Sequence, residues 1–201
     1  MPSVYQLKSD FQNILRPLVR KLANAGITAN NVTVFACLLS LLVSGLLAVA
    51  PSSRLVYLSY PILLFVRMAL NAMDGMLARE FGHKSDLGAF LNELCDVLSD
   101  AALYLALGML AGVSMFLAGV FTALAISTEL TGLVGISIGA SRRYDGPMGK
   151  SDRAFAIGAY MFFAAIFPSI LSLGNYLLIL LSLLCLLTMR NRTRSALAEK
   201  N

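Results

Sequence analysis

From residue 101 to residue 128 the chain runs without a single charged side chain. No water-soluble helix or sheet presents so long an uncharged stretch, because its outer face has to be solvated. That run covers the end of one apolar block and most of the next. Six blocks are legible: residues 31–50, 54–79, 86–110, 114–140, 154–169 and 173–189. A helix that crosses a bilayer needs about 20 predominantly apolar residues. The blocks are continuous rather than alternating, so they are helices and not strands of a barrel. The fifth is short and interrupted by Pro168. Charged residues make up only 13% of the chain, against about 25% in soluble domains. The expectation is an all-α integral membrane protein of six transmembrane helices, preceded by an interfacial amphipathic helix.

Charge placement orients it. With the N-terminus in the cytoplasm and six spans, both termini are cytoplasmic. The cytoplasmic segments then hold Lys8, Arg16, Arg20, Lys21, Arg79, Lys84, Arg142, Arg143, Lys150, Arg153, Arg190, Arg192, Arg194 and Lys200. That is 14 of the 16 basic residues. Cytoplasmic loops of membrane proteins carry this excess of Lys and Arg. The net charge of +5 is therefore explained by topology and by attraction to anionic lipid heads, with no nucleic acid required. The location expected is the inner membrane. Loops on the outer side are minimal, so function belongs on the cytoplasmic side.

The chain divides into residues 1–27, 28–189 and 190–201, read as interfacial helix, six-helix bundle and cytoplasmic basic tail. In the first part Val4, Leu7, Phe11, Ile14, Leu15, Leu18 and Leu22 form one helical stripe, with Pro17 a point of kinking. Gly26 can end this helix, and Thr28 or Asn30 can cap the next. Cys37, Cys95 and Cys185 fall inside apolar blocks, which suits small buried residues rather than a disulfide set or a zinc site. A lone histidine, His83, argues against His-based catalysis. The first apolar block starts near residue 31, so no secretory leader is expected.

The polar residues inside the spans carry the functional signal, since ionisable groups at membrane depth are costly. The second block holds Arg67, Asn71, Asp74, Arg79 and Glu80, and the third holds Asn92, Glu93, Asp96 and Asp100. Asn71 and Asp74 share a helix face, as do Asn92, Asp96 and Asp100. A short turn joins the two helices, so their polar faces can meet at one level below the cytoplasmic surface. Carboxylates gathered there repel one another unless a cation lies between them. Asp and Asn oxygens are hard ligands suited to Mg²⁺ or Mn²⁺, and such ions commonly serve phosphate chemistry. Gly75 lets a ligand approach the backbone, and Arg79 offers a fork of donors to a phosphate. The alternative is that these groups only hold helices together by hydrogen bonds.

The same residues resemble the signature of the CDP-alcohol phosphotransferases, D-x2-D-G-x2-A-R followed by G-x3-D-x3-D. Asp74, Gly75, Ala78, Arg79, Gly88 and Asp96 match at every spacing. Asn71 and Asn92 stand at the first and third acidic positions. They keep a carbonyl oxygen but remove two negative charges, which lowers the metal affinity expected and leaves open one ion or two. Asp100 either compensates as a further metal ligand or is a deeper structural group. Six spans behind an interfacial helix also look like this family.

The resemblance implies transfer of a phosphatidyl group from CDP-diacylglycerol to an alcohol, with release of CMP. Asn71, Asp74, Asn92, Asp96 and Asp100 would hold the metal, and Asp96 would be the catalytic base. Asn30, Thr33, Gly75, Ala78, Arg79 and Gly88 would bind the nucleotide and pyrophosphate, and Lys150 and Arg153 the acceptor. The family implies a homodimer among membrane lipids, and the small residues Gly132, Gly135 and Gly139 suit close helix contact. Two other readings stand beside this one. A weakened relative would bind CDP-lipid, or act as a partner subunit, without turnover. A small transporter would spread polar groups through the full membrane depth, whereas these cluster toward one side.

Overall fold

The computed structural model describes the backbone of residues 4–200 and the side chains of residues 10–200. Val4, Leu7 and Lys8 of the expected amphipathic stripe lie outside the described side chains. Every regular element among the described residues is helical. They are α1 (Val4–Asn24), α2 (Ala29–Val49), α3 (Arg54–Glu80), α4 (Asp86–Ala106), α5 (Met115–Ser137), α6 (Lys150–Ile166) and α7 (Gly174–Lys200). Short 3-10 segments follow α4 (Leu107–Met109) and α6 (Pro168–Leu173).

Local chemistry sets the ends of these helices. Gly26, at φ +75°, terminates α1 in a conformation that costs a side-chain-bearing residue more. Thr28 and Asn31 then cap α2 reciprocally. The Thr28 N–H donates to Asn31 Oδ1 at 3.0 Å and the Asn31 N–H to Thr28 Oγ1 at 3.2 Å. This settles the choice of cap in favour of Thr28 and leaves Asn30 free for other work. Ser85 Oγ accepts from the Gly88 N–H at 3.0 Å at the start of α4. Ser114 does the same for α5, accepting from the Leu117 N–H.

Four segments are long and apolar enough to cross a membrane: Ala29–Val49, Arg54–Glu80, Met115–Ser137 and Pro168–Lys200. Six were expected. The other two fall short for plain reasons: α4 carries Asp86, Glu93, Asp96 and Asp100, and α6 has only 17 residues. Large apolar side chains face outward on the long helices. Val49 is 80% exposed, Leu55 79% and Phe116 77%, a surface suited to lipid rather than water. The basic tail is helical, because α7 continues through Lys200.

The chain forms two compact units. The first comprises residues 1–40 and 65–99, the second residues 41–64 and 100–201. In the first, Val19 of α1, Ala29, Val32 and Ala36 of α2, and Leu70, Met73, Met76 and Leu77 of α3 make one buried cluster. It fixes α1, α2 and α3 against each other, and with them the start of α2 against the end of α3.

The second unit is held by α5 on α7 and by aromatic and polar ties. The rings of Tyr104 and Phe121 lie 5.0 Å apart. Asn175 Oδ1 accepts from the Ser114 N–H at 2.7 Å while its Nδ2 donates to the Gly112 carbonyl at 2.9 Å. Gly132 and Gly135 make room for the chain's own return: a Cβ at either would meet the carbonyl of Arg143 at 2.7 Å or of Ser141 at 3.2 Å. Gly139 lies beyond the end of α5, at φ +86°. Gly132 and Gly135 thus serve an internal contact.

Candidate active site

The C-terminal half of α3 and the N-terminal half of α4 carry the signature. Within the first unit they enclose, with the start of α2, a cavity of about 350 Å³. Its lining includes Asn30, Thr33, Asn71, Asp74, Gly75, Ala78, Arg79, Gly88 and Asn92. All six residues expected at the nucleotide are thus in one space, together with three of the five expected at the metal.

Each lining residue has a structural reason for its place. Asp74 is buried, and Thr33 donates its hydroxyl to Asp74 Oδ2 at 2.9 Å, with the Ala29 carbonyl as a competing acceptor at 3.1 Å. Burying a carboxylate is costly unless it is hydrogen-bonded, and Thr33 supplies one such donor. Gly75 makes room for Arg79: a Cβ there would lie 3.1 Å from both terminal guanidinium nitrogens. The glycine thus lets Arg79 fold back along its own helix. At Gly88 a Cβ would meet Asn30 Oδ1 at 2.8 Å and Ser85 Oγ at 3.0 Å, so this glycine admits the side chain of Asn30 against α4.

Asp96 does not line the cavity but is joined to it. Asn71 Nδ2 donates to Asp96 Oδ1 at 3.4 Å. Arg67, one helical turn before Asn71, donates through Nη2 to Asp96 Oδ1 at 3.3 Å and to the Asp96 carbonyl at 3.1 Å. Arg67 is only 4% exposed. The sequence marked Arg67 as an intramembrane cation; the structure pairs it with Asp96.

Five lining residues were not expected: Ala29, His83, Lys84, Ser85 and Ala89. His83, Lys84 and Ser85 form the turn between the two halves of the signature, whose spacing leaves those positions open. His83 Nδ1 is buried and has no hydrogen-bond partner among the described residues, so the lining holds an unused polar atom.

Asp100, Glu129 and Arg153 meet elsewhere, inside the second unit. Arg153 is fully buried. Its Nη2 lies 3.3 Å from Asp100 Oδ2 and 3.0 Å from Glu129 Oε1, and its Nη1 donates to Thr128 Oγ1 at 2.8 Å. Arg192 adds a second buried guanidinium, 3.6 Å from Glu129 Oε1 and donating to the Thr128 carbonyl. Asp100, expected as a metal ligand, has Arg153 as its counter-ion. Arg153, expected at the acceptor, has its charge met by two carboxylates. Lys150 is the first residue of α6.

The donors around the cavity suit a hard divalent cation. Asp74 supplies a carboxylate, and Asn71 and Asn92 supply amide oxygens. Among the described residues no three His, Cys, Asp or Glu side chains converge, so any coordination would draw on amide, substrate or water oxygens as well.

Comparison with known proteins gives the same direction. Residues 26–189 match the model of the CDP-alcohol phosphatidyltransferase family. The chain is 44% identical over 195 residues to the inner membrane protein YnbA of Escherichia coli strain K12, covering 97% of this chain and 96% of that one. Its fold is similar to that of phosphatidylinositol phosphate synthase of Mycobacterium tuberculosis in two crystal structures. The TM-score is 0.73 for the structure with CDP-DAG bound, at 21% identity and covering 92% of this chain and 94% of that one. It is 0.75 for the structure in complex with manganese and citrate, at 19% identity and covering 90% and 88%.

Proposed function

The chain belongs to the CDP-alcohol phosphatidyltransferase family and is a phosphotransferase, and on that premise we propose that it moves a phosphatidyl group from CDP-diacylglycerol to an alcohol, releasing CMP. One observation carries the reading. Asn30, Thr33, Gly75, Ala78, Arg79 and Gly88 share one cavity with Asn71, Asp74 and Asn92, and Asn71 ties that cavity to Asp96.

In this proposal Asp74, with the amide oxygens of Asn71 and Asn92, holds Mg²⁺ or Mn²⁺ at the pyrophosphate. Such an ion neutralises charge on the phosphate oxygens and on the leaving group. Arg79 binds a phosphate through its fork of donors. Gly75, Ala78 and Gly88 keep the walls low enough for the nucleotide, and Asn30 and Thr33 contact it. His83 Nδ1, buried without a partner, gains one from the bound nucleotide. The acceptor oxygen bonds to the lipid-linked phosphorus, and the bond from that phosphorus to the oxygen of CMP breaks. Asp96 takes the acceptor's proton. Arg67 and Asn71 both donate to its Oδ1 and so fix the orientation of that carboxylate.

The finer topology belongs to the same proposal: six spans including α4 and α6, an interfacial α1, both termini cytoplasmic, a homodimer, and the inner membrane that houses the E. coli relative. Lys150 is proposed at the acceptor on its place in the sequence, whereas Arg153, fully buried between two carboxylates, is assigned a structural part. Asp100 is assigned a structural part with Arg153.

The two amides favour a second reading, in which the chain binds CDP-lipid without turning it over. One experiment separates the two. Purified protein is supplied with Mn²⁺ or Mg²⁺, CDP-diacylglycerol and a panel of free and phosphorylated alcohols. CMP release with one acceptor supports the transferase. Saturable CDP-diacylglycerol binding with no CMP release for any acceptor supports the binder.

A further inference from the structure

Two amides replace acids in the signature, and a buried arginine lies beside Asp96, one of the two acids that remain. Asn71 Nδ2 is 3.4 Å from Asp96 Oδ1. An aspartate at position 71 would set a second carboxylate against the first at that separation, and only a cation between them would relieve the repulsion. The amide turns the same contact into a hydrogen bond. Arg67 Nη2 reaches the same oxygen at 3.3 Å. The Arg67 side chain is 5% exposed and that of Asp96 27%, so the pair is screened weakly by solvent.

Charge is costly in a buried membrane site, and an arginine there is expected to serve a partner. With Arg67 on Asp96, one of the two signature carboxylates already has a protein cation beside it, and Asp74 is the carboxylate that lines the cavity. A second ion on Asp96 would compete with the two donors already on Oδ1 and sit beside a buried guanidinium.

We propose that Arg67 is the fixed cation of this site: it compensates Asp96 where a second metal ion would otherwise be needed, so the chain binds one divalent ion per molecule, at Asp74. The inference rests on the metal-dependent reading above and assigns Arg67 as a positioning residue that acts through Asp96.

The test is a titration of Mn²⁺ into the purified full chain, read by electron paramagnetic resonance and by equilibrium dialysis. The wild type is expected to bind one Mn²⁺ per chain. Arg67→Lys keeps the charge and is expected to bind one. Arg67→Gln combined with Asn71→Asp removes the fixed cation and restores the carboxylate pair, and is expected to bind two, with the spectral broadening of neighbouring ions. Should that double variant not fold, Asn71→Asp alone decides, because retained Arg67 is expected to hold it at one. Two ions in the wild type or in Asn71→Asp, none in the wild type, or one in a folded double variant would overturn the assignment. The activity reading fails separately. One ion without CMP release defeats the transferase and leaves the role of Arg67 intact, whereas CMP release with two ions does the reverse.

Discussion

Thr33 on α2 and Asp74 on α3 are 41 positions apart in sequence and joined by a hydrogen bond of 2.9 Å. The contact ties the start of α2 to the one signature carboxylate that lines the cavity. Thr33→Val keeps the shape and removes the donor. Groups that hold a metal-binding carboxylate from behind are worth about 10–100-fold in metal affinity or activity. A loss of that size is expected in Mn²⁺ affinity and in CDP-diacylglycerol turnover. Melting should shift little, since one hydrogen bond contributes roughly 1 kcal/mol.

Gly88→Ala separates stability from function. Within a helix alanine is favoured over glycine by about 0.8–1.0 kcal/mol, so thermal stability should hold or rise. The new Cβ would lie 2.8 Å from Asn30 Oδ1, which pushes Asn30 out of position in the cavity. Misplacements of about 1 Å can cost roughly 10²-fold in rate. The expected result is a raised KM for CDP-diacylglycerol at an unchanged or higher melting temperature, measured on the same preparation.

Arg153→Ala should act on folding. It leaves Asp100 and Glu129 without the guanidinium that lies 3.3 Å and 3.0 Å from them. Breaking a buried ion pair by removing one partner costs about 3–5 kcal/mol. Replacing the group together, as Asp100→Asn, Glu129→Gln and Arg153→Met, is expected to be milder than the single change. Thermal unfolding in detergent checks both. Equal or smaller destabilisation in the single variant would contradict the structural role.

Acid should loosen the segment between α5 and α6. The hydrogen bond from the Arg143 side chain holds the Asp145 carboxyl below its usual range. A lowered folded value means the pair contributes its full stability above the ordinary carboxylate pKa and loses it as pH falls below that through the lowered value. Hydrogen exchange over residues 141–149 is expected to speed up in acid in the wild type. Asp145→Asn should exchange faster already at neutral pH, with a smaller acid response.

Much of this was legible in the sequence, for identifiable reasons. Apolar blocks placed the helices to within a few residues at most ends, because lipid-facing helices need no polar side. Helical periodicity put Asn71 and Asp74 on one face, and the resemblance to the family signature brought Asp74, Gly75, Ala78, Arg79 and Gly88 into one site, which the shared cavity matches. What was missed depends on pairing across distance. The positive-inside pattern explains Arg153 and Arg192 without reference to partners, so their burial against Glu129 left no signal. Gly132 and Gly135 read as a helix-contact stripe and do face Arg192 and Ala196 of α7, but the backbone at Ser141 and Arg143 that they also accommodate left no signal. Thr28 and Asn30 are both good caps, and only the reciprocal bonds with Asn31 distinguish them.

The central claim is that Asp74 and Asp96 work as one site on a CDP-linked lipid. It is tested most directly by CMP released from CDP-diacylglycerol, with Mn²⁺ and a productive alcohol, in the wild type, Asp74→Asn and Asp96→Asn. Loss of a general base typically costs about 10²–10⁴-fold, and a fall of that size is predicted for Asp96→Asn while CDP-diacylglycerol binding is retained. Asp74→Asn is predicted to lose both metal-dependent binding and release. CMP release at wild-type rates in either variant would contradict the account.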